Sequence, residues 1–100
     1  MTPVTVINRI NVKPGMMDEL ISAQRQFAAT LPSSLLVGGR MYRSSDGQSA
    51  VLVSTFPSKE AQAEMFARGD FKQHLQRLQP LVESSSPVVY EEAYTTGDFR

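Results

Sequence analysis

The chain has 100 residues, enough for a single domain, residues 1–100, that buries roughly 60–65% of its extended-chain surface. Ten basic and ten acidic side chains cancel, which removes nucleic acid from the expected partners, and a hydrophobic share of 41% sets the sequence apart from disordered chains. With no cysteine, disulfides, thiolate nucleophiles and cysteine metal sites are excluded.

The first stretch, VTVINRINV, reads as a strand. With side chains alternating, Val4, Val6, Ile10 and Val12 share one face, and Asn8 interrupts their stripe. A buried, unpaired amide costs about 1–3 kcal/mol, so Asn8 requires a partner in the fold, a water or a ligand. The opening residues lack a basic segment followed by an apolar run, and no stretch approaches the roughly 20 apolar residues that cross a bilayer. A soluble, cytoplasmic protein without membrane contact is the expectation.

Pro14 and Gly15 hand over to a helix in which Met16 or Met17, Leu20, Ile21, Phe27, Ala28 and Leu31 recur at intervals of three and four. Asp18, Glu19, Gln24, Arg25 and Gln26 are then left largely for solvent, and Pro32 ends the helix. LLVGGRMYRSSDGQSAVLVSTF reads as a hairpin about Asp46-Gly47, a pair suited to left-handed backbone angles. With those two as the loop, Met41 opposes Leu52, Gly39 opposes Ser54 and Val37 opposes Phe56. Arg40, Tyr42, Val51 and Val53 fall on the other face.

Ser58 is placed to cap a second helix, on which Ala61 and Met65 share a face. ARGD interrupts it, and in the next helical piece Phe71, Leu75, Leu78 and Val82 form the stripe, with a kink or an end near Pro80. SSSP reads as a loop and VVYEEAYTT as the last strand.

The order strand, helix, strand, strand, helix, strand predicts an α+β, ferredoxin-like βαββαβ fold: a four-stranded antiparallel sheet with its helices on one face. Ile7, Tyr42, Val51, Val53, Val89 and Ala93 would then lie on the face without helices. An apolar surface of that extent favours a partner sheet, so a homodimer through sheet-to-sheet packing is expected.

No GxSxG, phosphate-cradling loop or Rossmann fingerprint occurs, and the lone histidine, His74, has no carboxylates at ligand spacing, so neither a metal nor another cofactor is expected. Asn8 either satisfies a neighbouring element or orients a ligand oxygen. Gly39 facing Ser54 leaves volume between sheet and helices. A pocket of Met41, Phe56, Met65, Phe71 and Leu75 around that space, with one amide, suits a small hydrophobic or aromatic molecule. His74, one turn after Phe71, faces either this pocket or the surface, and its ordinary pKa near 6.5 suits a general base. Tyr42, Tyr90, Tyr94 and Arg40 read as sheet or interface residues.

VINRINVKPGMMDELI, the hairpin, STFPSKEAQAEMFARGDFKQHL and the closing VVYEEAY together resemble the antibiotic biosynthesis monooxygenase (ABM) domain family over roughly Val4 to Thr95. The resemblance implies a dimeric α+β barrel, in a family whose members include oxygenases of aromatic polyketides or quinols that use no metal or flavin. Phe56, Ser58, Glu60 and Ala61 match the family's pattern after the third strand, with Phe in place of Trp. Asn8 and Arg9 match the haem-degrading branch, but that branch's tryptophan aligns with Met65 and its haem-ligating histidine with Leu75, His74 standing one residue early. One residue is about 100° around a helix, which argues against haem degradation. The function these readings imply is cofactor-independent oxygenation of a small aromatic or phenolic substrate, with Asn8 holding the oxygen and His74 or a tyrosine taking the proton. The alternatives are a non-catalytic module that binds a hydrophobic metabolite and, third, a haem-binding protein.

Overall fold

A computed structural model describes residues 2–98. Strand β1 spans Val4–Val12, helix α1 Met17–Ala28, strands β2 and β3 Gly38–Arg43 and Ser49–Phe56, helices α2 and α3 Lys59–Ala67 and Gly69–Leu78, and strand β4 Val82–Tyr90. The strands form one antiparallel sheet in the order β2-β3-β1-β4, the ferredoxin-like arrangement expected from the sequence.

The hairpin register holds: Met41 pairs with Leu52 and Gly39 with Ser54. Its loop is wider than expected. Ser44 closes the ladder on Ser49, and the Gly47 N–H bonds the Ser44 carbonyl. Gly47 alone takes a left-handed angle, φ 73°, so Asp46 turns without strain. The Asp46 carboxylate instead accepts from the Ser44 hydroxyl at 2.6 Å and from the Gln48 N–H. Those bonds, the hydroxyl's first, hold its pKa below the ordinary carboxylate value.

Helix α1 stops at Ala28, short of Leu31, and Ala28 is exposed. Residues 29–36 run in turns that bury Leu35. Ser58 caps α2 as expected, its Oγ accepting from the Ala61 N–H at 3.1 Å, and extended backbone at Arg68 divides α2 from α3. Arg68 grips the Asp70 carboxylate through two nitrogens at 2.9 and 3.0 Å. A 3₁₀ turn over Gln79–Leu81 takes up Pro80, near which the helix was expected to end.

Strand β4 differs most from expectation. It begins at Val82, so the serines read as a loop are sheet, and it ends at Tyr90, so Ala93 lies beyond it. Pairing with β1 supplies what the local sequence lacks: Asn11 Nδ2 donates to the Ser84 hydroxyl at 2.8 Å, and the Ser86 N–H donates to Asn8 Oδ1 at 3.0 Å. Pro87, which has no N–H to give, stands opposite Asn8 on this edge strand, where proline is tolerated. The register also corrects one face assignment. Val88 opposes Ile7, on the face without helices, whereas Val89 opposes Val6 and points to the helix side.

On the helix side the core forms two clusters. Ile10, Val12, Leu20, Ala23, Ala50, Leu78 and Leu81 make one, and Val6, Phe56 and Met65 make the other with half-buried Phe27, Leu31, Leu36 and Phe71. On β1 they are separated by Asn8, between Val6 and Ile10. Among the described residues no buried helix side chain covers the opposite face, where Val88, Tyr90 and Tyr42 are about half exposed.

Candidate functional site

A cleft of about 1360 Å³ runs between the helices and the inner face of the sheet. Its floor is the seam between the two clusters. Asn8 of β1 and Ser54 of β3 lie there, with Gly39 beside Ser54 on β2. Gly39 stands at a close approach: a Cβ on it would come 3.0 Å from the Val53 carbonyl oxygen, tighter than an ordinary contact. All nine residues singled out from the sequence, Asn8, Gly39, Met41, Ser54, Phe56, Met65, Phe71, His74 and Leu75, border this one cleft.

Their roles in its walls differ. Phe56 is 1% exposed and packs edge-on against Phe66, with ring centroids 6.0 Å apart, and Met65 is buried beside it. Phe71 stacks on Phe66 at 5.1 Å and meets Phe27 at 5.9 Å, so three rings carry the aromatic wall. Leu75, expected in the apolar stripe, is 49% exposed and sits at the rim. The stripe of α3 passes instead through Phe71, His74 and Leu78.

Asn8 is half-buried and half-satisfied. The Ser86 N–H is a donor, so the atom facing it must be the amide oxygen, and this settles the orientation of the carboxamide. Its Nδ2 makes no hydrogen bond among the described residues. The cleft floor therefore presents N–H donors, suited to an oxygen that carries or develops negative charge.

His74 faces inward and is 6% exposed. Its ring lies flat on Phe27, centroids 4.3 Å apart and planes 8° apart, and its Nε2 is 2.8 Å from Gln24 Oε1 on α1. Burial, and secondly the charge of Arg77, lowers its pKa from the ordinary 6.5, leaving the imidazole neutral at pH 7. Gln24 is the functional neighbour that sequence reasoning missed, assigned there to solvent. The signal was present: Gln24 lies four residues after Leu20 and three before Phe27, as His74 lies three after Phe71 and four before Leu78. Each polar residue occupies an apolar position on its helix, and the two satisfy each other across the helix pair.

Arg25, Arg43 and Glu83 border the cleft, and Arg43 lies 3.7 Å from the Asp18 carboxylate, whereas Arg40 pairs with Val53, on the face away from the helices. No group of three or more His, Asp or Glu among the described residues is placed to hold a metal ion. The residues also do not fit a haem ligand set. Leu75, at the aligned ligand position, has no donor atom, and Nε2 of His74 is engaged by Gln24.

No family model matches the sequence, and no curated protein matches it. Solved structures do. SnoaB, a cofactor-independent oxygenase from Streptomyces nogalater, superposes with a TM-score of 0.79 at 22% identity, over 95% of this chain and 97% of that one. A "putative antibiotic biosynthesis monooxygenase" from Nitrosomonas europaea gives 0.80 at 16% identity, over 95% and 94% of the two chains. The fold is that of the antibiotic biosynthesis monooxygenases. A protein from Bordetella bronchiseptica described in the same words as the Nitrosomonas one gives 0.80 at 14% identity, over 94% of this chain and all of its own. The same architecture is thus built here from a sequence that shares few residues with theirs.

Proposed function

We propose that this protein is a cofactor-independent monooxygenase that oxidises a small aromatic or phenolic substrate with O₂, acting in the cytoplasm as a homodimer. The observation that carries the proposal is the pairing of groups across an aromatic cleft: an amide N–H donor at its floor and a neutral imidazole in its helix wall. Phe27, Phe66 and Phe71 offer faces and edges to a planar ring.

The chemistry asks little of the protein. His74 takes the phenol proton, and Asn8 Nδ2 donates to the resulting oxyanion. The electron-rich ring passes an electron to O₂, and the two radicals join as a ring peroxide, whose outer oxygen takes the proton back from His74. The ring carbon that bears the peroxide then loses its C–H proton as the O–O bond breaks, one oxygen stays on that carbon as a carbonyl, and the outer oxygen leaves as hydroxide and takes up the released proton as water. One phenol and one O₂ give one quinone and one water, so the substrate supplies all the electrons. A water-poor cleft strengthens the Asn8 contact as charge develops.

Purified protein should consume O₂ with hydroquinone-like substrates, and Asn8→Ala should slow turnover by about tenfold or more, as when an oxyanion donor is removed. Unchanged turnover in that variant would remove Asn8 from the mechanism. An aromatic molecule that co-purifies and stays unaltered under air would favour a binding module.

The dimer rests on the face without helices, where Ile7, Val51 and Val53 are half-buried beside exposed Tyr42, Val88 and Tyr90. Val53→Asp, at the centre of that face, should convert a dimeric sedimentation profile to a monomeric one. A wild-type protein already monomeric at micromolar concentration would end the proposal.

A further inference from the structure

We propose that Gln24 is a positioning residue, which holds the imidazole of His74 in the single tautomer with hydrogen on Nε2 and the lone pair on Nδ1. This rests on the oxygenase reading only in assigning the proton acceptor; the pairing itself stands on geometry. Gln24 Oε1 and His74 Nε2 lie 2.8 Å apart, and with the amide oxygen, an acceptor, turned to the ring, Nε2 carries the hydrogen. Phe27, three residues further along α1, fixes the ring plane by stacking on it at 4.3 Å. A single short helix thus sets both the rotation of the imidazole and the location of its proton.

A second contact between the same helices bears on the charge of the ring. Arg77 donates to Gln26 Oε1 at 3.1 Å, which holds the guanidinium one turn beyond His74. Around His74, α3 contributes Arg77 and Asp70, the latter bound by Arg68, and Arg25 follows Gln24 on α1. Among the described residues no carboxylate bonds the ring to stabilise an imidazolium. A neutral acceptor in that place has a definite consequence: with Nε2 donating, Nδ1 is the one ring atom that can receive a proton from a substrate. The other tautomer would require the Gln24 carboxamide to turn its NH₂ to Nε2, and would remove the acceptor from Nδ1.

His74 is the lone histidine of the chain, so untagged, ¹⁵N-labelled full-length protein displays one imidazole. Long-range ¹H–¹⁵N spectra above the titration range should show a protonated Nε2 and a lone-pair Nδ1. Gln24→Met keeps the volume and deletes the acceptor, and should give a mixture of tautomers. Gln24→Glu keeps an acceptor, should restore the single tautomer, and through its charge should raise the proton affinity of the ring by about tenfold or more. With hydroquinone as substrate, Gln24→Met should lower kcat about tenfold at nearly constant KM, and Gln24→Glu should move the acidic limb of the pH profile upward. A wild-type ring protonated on Nδ1, or an unchanged single tautomer in Gln24→Met, would overturn the inference. The wild-type and Gln24→Glu spectra decide the matter even where Gln24→Met does not fold. Protein with the tautomer governed by Gln24 but without O₂ consumption would sustain the pairing and remove the oxygenase reading.

Discussion

The two ends of the helix-side core are built on different plans. At one end Leu20 and Ala23 are fully buried and Ile10 and Ala50 nearly so, an aliphatic packing with no polar atom to satisfy. At the other, Phe56 and Met65 are buried, but Phe27, Leu31, Leu36 and Phe71 are only partly covered. The difference teaches that the fold is anchored at one end and open at the other. Asn8 marks the boundary, because an amide on an apolar stripe prevents the two clusters from merging.

Leu20→Ala breaks the anchored end and should cost about 3 kcal/mol in urea denaturation, the ordinary result of emptying a leucine site in a rigid surround. Phe71→Ala removes more atoms from the open end yet should cost less than half as much, since its ring is already in part solvated and the cleft can relax. Equal costs would mean that both ends are packed alike. Ser58→Ala removes the cap that seats α2 over the aromatic wall and should cost about 1 kcal/mol. Smallest is a pH effect. The pKa of His74 is lower in the folded chain than its unfolded value of about 6.5, so the unfolded state binds its proton first as the medium acidifies. That contribution is fully present above pH 6.5 and is lost as pH falls through that value toward the folded pKa. Denaturation midpoints measured across this range should flatten in His74→Phe, which keeps a ring against Phe27.

Much of this was legible in the sequence, and the misreadings share a cause. The hairpin register followed from alternation across Asp46-Gly47, even though the loop is wider than two residues. The cleft followed from a polar residue in an apolar stripe and two small residues facing each other. Strand β4 was misjudged because three serines and Pro87 have poor local preference for sheet, while its stability comes from Asn8 and Asn11, some 73 to 78 residues distant in the chain. Gln24 was misjudged because an amide reads as solvent-facing until its partner is known. Each polar side chain had a place in the pattern; its reason for being there lay on another element.

Gly39 carries a last consequence. At that wall the main chain of β2 lies so near the Val53 carbonyl that a Cβ at position 39 would meet its oxygen at 3.0 Å. Backbone cannot swing aside by rotating a χ angle, so at Gly39 the cleft has one fixed width. Where its width can change, it changes through side chains: Met41 on the sheet, and Phe27, Phe66, Phe71 and Leu75 on the opposite bank.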